Sequence, residues 1–204
     1  MNPGGSGGRR AAFLDRDGVI NLDHGYVSRR EDFTFVPGVL DGARHLHALG
    51  FALVVVTNQS GIGRGLYSIS DYEQLTTWMK GRFAAEGAPL AGVYHCPHHP
   101  TDAMGDFRKS CDCRKPAPGM LLAAARDLDL DLGASVLFGD KESDLLAAVA
   151  AGVPVRVLLG TDARWTPAVP EPTGLATAVF QRLDEAIADT TLLTTLRTPN
   201  PVNG

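Results

Sequence analysis

Ala11-Ala12-Phe13-Leu14-Asp15-Arg16-Asp17-Gly18 is an apolar run that breaks off into two aspartates one residue apart. Other segments repeat the pattern. Phe51 to Val56 runs without a polar residue into Thr57, and Ser135 to Phe138 ends at Gly139-Asp140. Gly92 to His95 is a weaker candidate strand, and Val153 to Leu159 is a fifth run. Short runs without polar alternation suit strands covered on both faces, as in a parallel sheet. Helical patterns fill the intervals: Val39 to Leu49 before Gly50, Ser70 to Glu86 behind a Ser70-x-x-Glu73 capping pattern, Pro118 to Leu128, Glu142 to Ala151 before Gly152, and Thr177 to Ala188. The alternation predicts an α/β sandwich with right-handed crossovers. In such a sheet ligands sit beyond the carboxyl ends of the strands, so Asp15, Thr57 and Asp140 are expected in one site.

The chain has 204 residues, 44% of them hydrophobic and 21% charged, with a formal net charge of −4. That balance fits one soluble globular domain and argues against a broad nucleic-acid surface. No apolar run reaches the roughly 18 to 20 residues that span a bilayer. Residues 1–10 are Gly-rich without a signal-peptide core and read as a disordered lead-in, so a cytoplasmic location is expected. The body is expected over 11–190, with a Pro/Thr-rich loop from Thr161 to Thr173 and a flexible tail over 191–204. Nothing suggests an extended apolar interface, and a monomer is expected.

Asp15 and Asp17 stand too close to ionise freely without a cation, and Mg²⁺ favours a few carboxylate oxygens plus waters and phosphate. Asp140 offers a further carboxylate. A carboxylate such as Asp15 serves as a nucleophile in phosphoryl transfer, and Asp17 is placed to protonate a leaving alkoxide and then deprotonate water. Thr57 and the Asn58-Gln59-Ser60-Gly61 loop supply donors for the transferring phosphoryl oxygens, and Lys115 a fixed positive charge. Lys141 offsets excess carboxylate, and Asp144, one turn past Asp140, is expected to orient Lys115 or a metal-bound water.

All three cysteines fall in Cys96-Pro97-His98-His99-Pro100 and Cys111-Asp112-Cys113-Arg114-Lys115-Pro116. Three thiolates and one imidazole suit a closed, structural Zn²⁺ site. His98 is preferred over His95, which ends a predicted strand, while spacing leaves His99 open. Such an ion would order the loop over 96–116 and aim Arg114 and Lys115.

Together Asp15-Arg16-Asp17-Gly18, Thr57-Asn58, Lys115 and Gly139-Asp140-Lys141-Glu142-Ser143-Asp144 resemble the four motifs of the haloacid dehalogenase superfamily. The Phe51–Gly61 stretch, the two cysteine segments and His24-Gly25-Tyr26-Val27 resemble, within its histidinol-phosphatase-like branch, the heptose 1,7-bisphosphate 7-phosphatases. The resemblance implies a Rossmann-like three-layer sandwich with a mainly parallel sheet, no large cap domain and a zinc-stabilised loop. It implies Mg²⁺-dependent removal of a sugar phosphate by way of an aspartyl-phosphate, feeding activated-heptose synthesis for lipopolysaccharide or surface glycans. By the same resemblance Asp15 is nucleophile and Asp17 acid/base, Thr57 and Lys115 hold the phosphoryl group, and Mg²⁺ sits on Asp15, the Asp17 carbonyl and Asp140. Asp23, His24, Gly25 and Tyr26 help hold the substrate beside Asn58, Gln59 and Ser60, and Arg114 meets the remote phosphate. Cys96, His98, Cys111 and Cys113 match zinc ligands, which favours His98. Gly63 replaces an expected alanine and should loosen its loop. Histidinol phosphate is the alternative substrate, and a non-catalytic zinc-binding interaction protein the alternative class.

Overall fold

The computed structural model describes residues 8–160 and 174–197. The lead-in over 1–7, the loop over 161–173 and the tail over 198–204 lie outside the described residues. In chain order the described elements are β1 (Arg9–Leu14), α1 (Val39–Ala48), β2 (Ala52–Asn58), α2 (Ser60–Gly63), α3 (Ile69–Ala85), β3 (Leu90–Cys96), α4 (Gly119–Leu128), β4 (Leu130–Gly139), α5 (Glu142–Ala151), β5 (Val155–Leu159), β6 (Ala178–Phe180), α6 (Leu183–Ala188) and α7 (Thr190–Arg197).

The strands form one six-stranded sheet in the order β3-β2-β1-β4-β5-β6, and every adjacent pair is parallel. Successive side chains point to opposite faces, so each uninterrupted apolar strand feeds two cores. Leu14, Leu53, Val55 and Phe138 pack with α1, α3, α6 and α7 on one side. Phe13, Val54, Val56 and Leu137 pack with Met120, Leu121 and Leu145 of α4 and α5 on the other. This is the three-layer α/β arrangement expected from the runs. β1 is central, and the chain turns from building outward through β2 and β3 to building through β4. The crevice at that reversal lies over the carboxyl ends of β1 and β4, in register at Leu14 and Phe138.

Several boundaries differ from expectation. Helix α3 starts earlier because the capping box is Ser68 with Asp71: Asp71 N–H donates to the Ser68 hydroxyl (3.1 Å) and Ser68 N–H to the Asp71 carboxylate (2.9 Å). Ser70 lies inside the helix. β5 starts after Pro154, which has no N–H to give the ladder. The expected helix from Thr177 splits, since Val157–Leu159 presents an open edge and Ala178–Phe180 pairs with it as β6 before α6 begins.

Two expected termini of the body also move. Arg9 and Arg10 belong to β1. Residues 190–197, expected as part of a frayed end, form α7: Leu192 and Leu196 recur at i, i+4 and are buried, the Asp189 carboxylate accepts the Leu192 N–H (2.8 Å), and Arg10 donates to the Leu196 carbonyl (2.6 Å). Leu192→Ala and Leu196→Ala are each expected to cost about 2–4 kcal/mol, read as a lower urea midpoint; an unchanged midpoint would restore the frayed tail.

Candidate active site

Asp15 is the first residue past β1, and its N–H continues the sheet to the Phe138 carbonyl (3.0 Å). Its carboxylate accepts the Arg16 N–H (2.7 Å) and lies 3.0 Å from the Lys115 ammonium. Lys115 is almost fully buried, and its Nζ also meets Asp144 Oδ1 (2.6 Å) and donates to the Val56 carbonyl (2.8 Å). Asn58 ties the Lys115 backbone to the end of β2 from both sides: its amide nitrogen donates to the Lys115 carbonyl (3.0 Å) and its oxygen accepts the Lys115 N–H (3.1 Å). A lysine far along the chain thus reaches the ends of β1, β2 and β4 at once.

One oxygen each of Asp15, Asp140 and Asp144 falls within 4.8 Å of the others. Gly18, at φ +92°, permits the crowding, because a Cβ there would stand 2.2 Å from Asp140 Oδ2. Lys141 approaches Asp140 Oδ2 (3.4 Å) and Asp23 Oδ2 (3.3 Å) from the open side. Burial pushes the Asp15 carboxyl above the ordinary aspartate range, against the pull of Lys115. Burial, and then the Asp15 charge, drive Asp140 up to about 7. Burial alone would lower Lys115, but the Asp15 and Asp144 carboxylates outweigh it and hold the ammonium charged. Asp140 Oδ1 is buried without a hydrogen-bond partner. A carboxylate cluster short of positive charge, with an idle buried oxygen, fits a hard divalent cation.

The Asp17 carboxylate is caged by donors. Arg16 reaches it through Nε (3.1 Å) and Nη2 (2.8 Å), Asn21 through Nδ2 (3.0 Å) and Gln59 through Nε2 (2.8 Å). Arg16 is buried and also donates to the Val27 carbonyl (2.7 Å). Buried Thr57 accepts a second bond from Gln59 Nε2 (2.9 Å).

These groups face a cavity of about 320 Å³. Of the residues expected from sequence, Asp15, Asp17, Asp23, Gly25, Tyr26, Thr57, Asn58, Gln59, Ser60, Lys115, Lys141 and Asp144 line it. His24 is exposed outside the wall, and Asp140, whose carboxylate lies against Gly18, is not part of the wall either. Arg114 is also outside the wall, donating through Nη1 to the His98 carbonyl (3.0 Å). Gly61 and Ser143, which belong to the donor loop and the Gly139–Asp144 motif, also line the cavity; Tyr67 lines it without a sequence signal, and neither Arg16 nor Asn21 stood out by itself.

Cys96 closes β3, and its thiol meets Cys113 Sγ (3.1 Å) and Cys111 Sγ (3.5 Å). His98 Nδ1 lies 3.2 Å from Cys113 Sγ and 3.5 Å from Cys96 Sγ. No disulfide forms among the three. Donor separations of this size approach the edge of a tetrahedron with Zn–S bonds of about 2.3 Å, so these four residues fit Zn²⁺. His95 stacks on Tyr72 (4.3 Å) and His99 Nδ1 accepts the Asp102 N–H (3.1 Å), which leaves His98 as the imidazole. Gly63 does not loosen its loop: a Cβ there would stand 2.4 Å from the Pro97 carbonyl, so the glycine admits the cysteine loop.

Residues 112–186 match the HAD-hydrolase-like family model. The chain is 53% identical to the D-glycero-beta-D-manno-heptose-1,7-bisphosphate 7-phosphatase of Escherichia coli (strain K12) over 157 residues, 77% of this chain and 82% of that protein. It is 56% identical to the D-glycero-alpha-D-manno-heptose-1,7-bisphosphate 7-phosphatase of Burkholderia mallei over 150 residues, 74% of this chain and 79% of that one. A solved D,D-heptose 1,7-bisphosphate phosphatase from B. bronchiseptica, complexed with magnesium and phosphate, superposes with a TM-score of 0.75 at 32% identity, covering 91% of this chain and 98% of that one.

The burial of Lys115 has a measurable consequence. Lys115→Met leaves Asp15 and Asp144 facing each other without a counter-charge, and is expected to cost about 3–5 kcal/mol in urea unfolding with EDTA present. Lys141→Met, at a half-exposed pair, is expected to cost under about 1 kcal/mol. Equal losses would show that the buried triad is not the stabilising element.

Proposed function

The chain belongs to the heptose 1,7-bisphosphate 7-phosphatases of the haloacid dehalogenase superfamily, and from that premise we propose that it removes the C7 phosphate of D-glycero-D-manno-heptose 1,7-bisphosphate, leaving heptose 1-phosphate. The observation that carries the reading is the buried Lys115 ammonium, 3.0 Å from Asp15 and 2.6 Å from Asp144 at the strand ends. It keeps a carboxylate nucleophile dry and aligned beside a cluster that a divalent cation would complete.

In this reading a free Asp15 oxygen attacks the C7 phosphorus. The bond from phosphorus to the C7 oxygen breaks, and that oxygen takes a proton from Asp17. Water then attacks the aspartyl-phosphate and gives a proton to Asp17. Inorganic phosphate leaves and the Asp15 carboxylate returns. Thr57, Lys115 and the Asn58–Ser60 loop hold the phosphoryl oxygens. Mg²⁺, held by Asp15, the Asp17 carbonyl and Asp140, would neutralise the carboxylates and the phosphate charge. Zn²⁺ on Cys96, His98, Cys111 and Cys113 would be structural, joining the end of β3 to the segment that carries Lys115.

The C1 phosphate needs a cation away from Asp15. Lys141 in the cavity wall and Arg114 beside the cysteine cluster are the candidates, with Asp23, His24, Gly25 and Tyr26 forming the loop that meets the sugar. Among the described residues no helix is long and apolar enough to cross a membrane. A cytoplasmic enzyme supplying heptose 1-phosphate for surface-glycan synthesis is part of the same proposal.

Phosphate release with Mg²⁺ from the α and β heptose bisphosphates and from histidinol phosphate tests the reading. A heptose anomer is expected to have the highest kcat/KM, and Asp15→Asn to lose roughly 10³-fold or more in kcat. A large preference for histidinol phosphate would reverse the substrate assignment. Cys113→Ser is expected to lose bound zinc, melt about 5 °C or more lower and bind substrate more weakly. Unchanged melting and full turnover in zinc-free protein would remove the structural role.

A further inference from the structure

Tyr67 has no place in the motifs, yet it lines the cavity. Its ring lies across the first turn of α2, where a Cβ on Gly61 would stand 2.2 Å from a ring carbon. The phenol donates to Gln59 Oε1 at 2.6 Å. Gln59 is buried, and its N–H is tied to the Cys96 carbonyl (2.7 Å), so its backbone is fixed from the β3 side. Its amide nitrogen has two hydrogens and spends both on reacting groups: Asp17 Oδ2 (2.8 Å) and Thr57 Oγ1 (2.9 Å).

An amide can turn over about its terminal torsion, and the orientation of its oxygen and nitrogen follows from the partners. Turned over, Gln59 would point its oxygen at the Asp17 carboxylate and lose both nitrogen bonds. The phenol keeps that oxygen occupied on the other side. We propose that Tyr67 is a positioning residue: by donating to Gln59 Oε1 it locks the Gln59 amide, which in turn sets the Asp17 carboxyl plane for proton transfer to the leaving group. The proposal rests on the role given to Asp17 in the phosphatase reading. It adds a residue contributed by the loop between α2 and α3, which touches no reacting atom itself.

The test compares Tyr67→Phe, which keeps the ring over Gly61, with the unmodified enzyme on two esters. Leaving-group protonation matters for an alkyl phosphate and not for p-nitrophenyl phosphate, whose phenolate departs unprotonated. On heptose bisphosphate the variant is expected to lose about five- to tenfold in kcat, with KM and the inhibition constant of inorganic phosphate within twofold. On p-nitrophenyl phosphate kcat/KM is expected within twofold of the parent. Asp17→Asn supplies the reference pattern, a larger loss on the alkyl than on the aryl ester. Unchanged rates for Tyr67→Phe, or equal losses on both esters, would overturn the proposal, the second by making Tyr67 a shaper of the cavity. The comparison uses whichever alkyl phosphate the parent hydrolyses fastest. Failure of the heptose assignment therefore shows as a different best substrate and leaves the Tyr67 result readable, whereas a parent inactive on every ester overturns both.

Discussion

The structure depends on one ammonium group. Lys115 Nζ sits among Asp15, Asp144 and the Val56 carbonyl, at 3.0, 2.6 and 2.8 Å, almost fully buried at the cavity wall. Each of those oxygens belongs to a different part of the sheet's carboxyl edge: the end of β1, the first turn of α5 after β4, and β2. A buried cation costs several kcal/mol of desolvation and persists only when its partners surround it. The three strand ends are therefore held to a common point, and Asp15 cannot turn away without exposing a charge in the interior. The geometry of the site and the stability of the central sheet are one constraint.

That constraint extends to the cysteine cluster. Lys115 follows Cys113 by two residues, so whatever fixes the thiols also fixes the lysine backbone, which Asn58 then clamps from the end of β2. The loop is seated a second time at Gly63, whose carbonyl accepts the Met104 N–H (2.8 Å) and whose missing side chain admits the Pro97 carbonyl. A segment with little apolar content of its own is thus held by a cluster, a clamp and a close backbone approach. Such a segment can stay polar because its order does not come from a core.

Much of the fold was legible in the sequence because a parallel sheet writes a strong signal: apolar residues on both faces leave no alternation, and the polar residues gathered at the carboxyl edge fall where each run stops. Asp15, Thr57 and Asp140 were found that way, and the lysine of the cysteine segment by its motif. What was missed depends on tertiary geometry. β6 is a strand only because β5 presents an open edge, since Ala178–Phe180 has no strand pattern strong enough by itself. α7 is a helix because Leu192 and Leu196 find an apolar surface, a fact about the far side of the sheet. The capping box moved from Ser70 to Ser68 because two overlapping patterns lay two residues apart. Arg114 shows the limit of sequence adjacency, for it neighbours Lys115 yet donates to the His98 carbonyl. Tyr67 carried no pattern, because its role comes from a ring folding back over Gly61.

Charge explains why the site needs so many parts. Asp15, Asp17, Asp23, Asp140 and Asp144 bring five carboxylates together, against Arg16, Lys115 and Lys141. The excess is two negative charges, and a dication would cancel it. Burial first, and the neighbouring Asp15 charge second, raise the Asp140 carboxyl to about 7. A dianionic phosphate approaching such a cluster would be repelled, and a site carrying enough lysines to neutralise itself would collapse onto its own ion pairs. A cluster left short by a dication's charge avoids both outcomes: Asp15, Asp140 and Asp144 would attract such an ion, which would supply the charge a phosphate needs. Arg16 serves the same end from inside, holding the Asp17 carboxylate with a charge kept in the core rather than in the cavity.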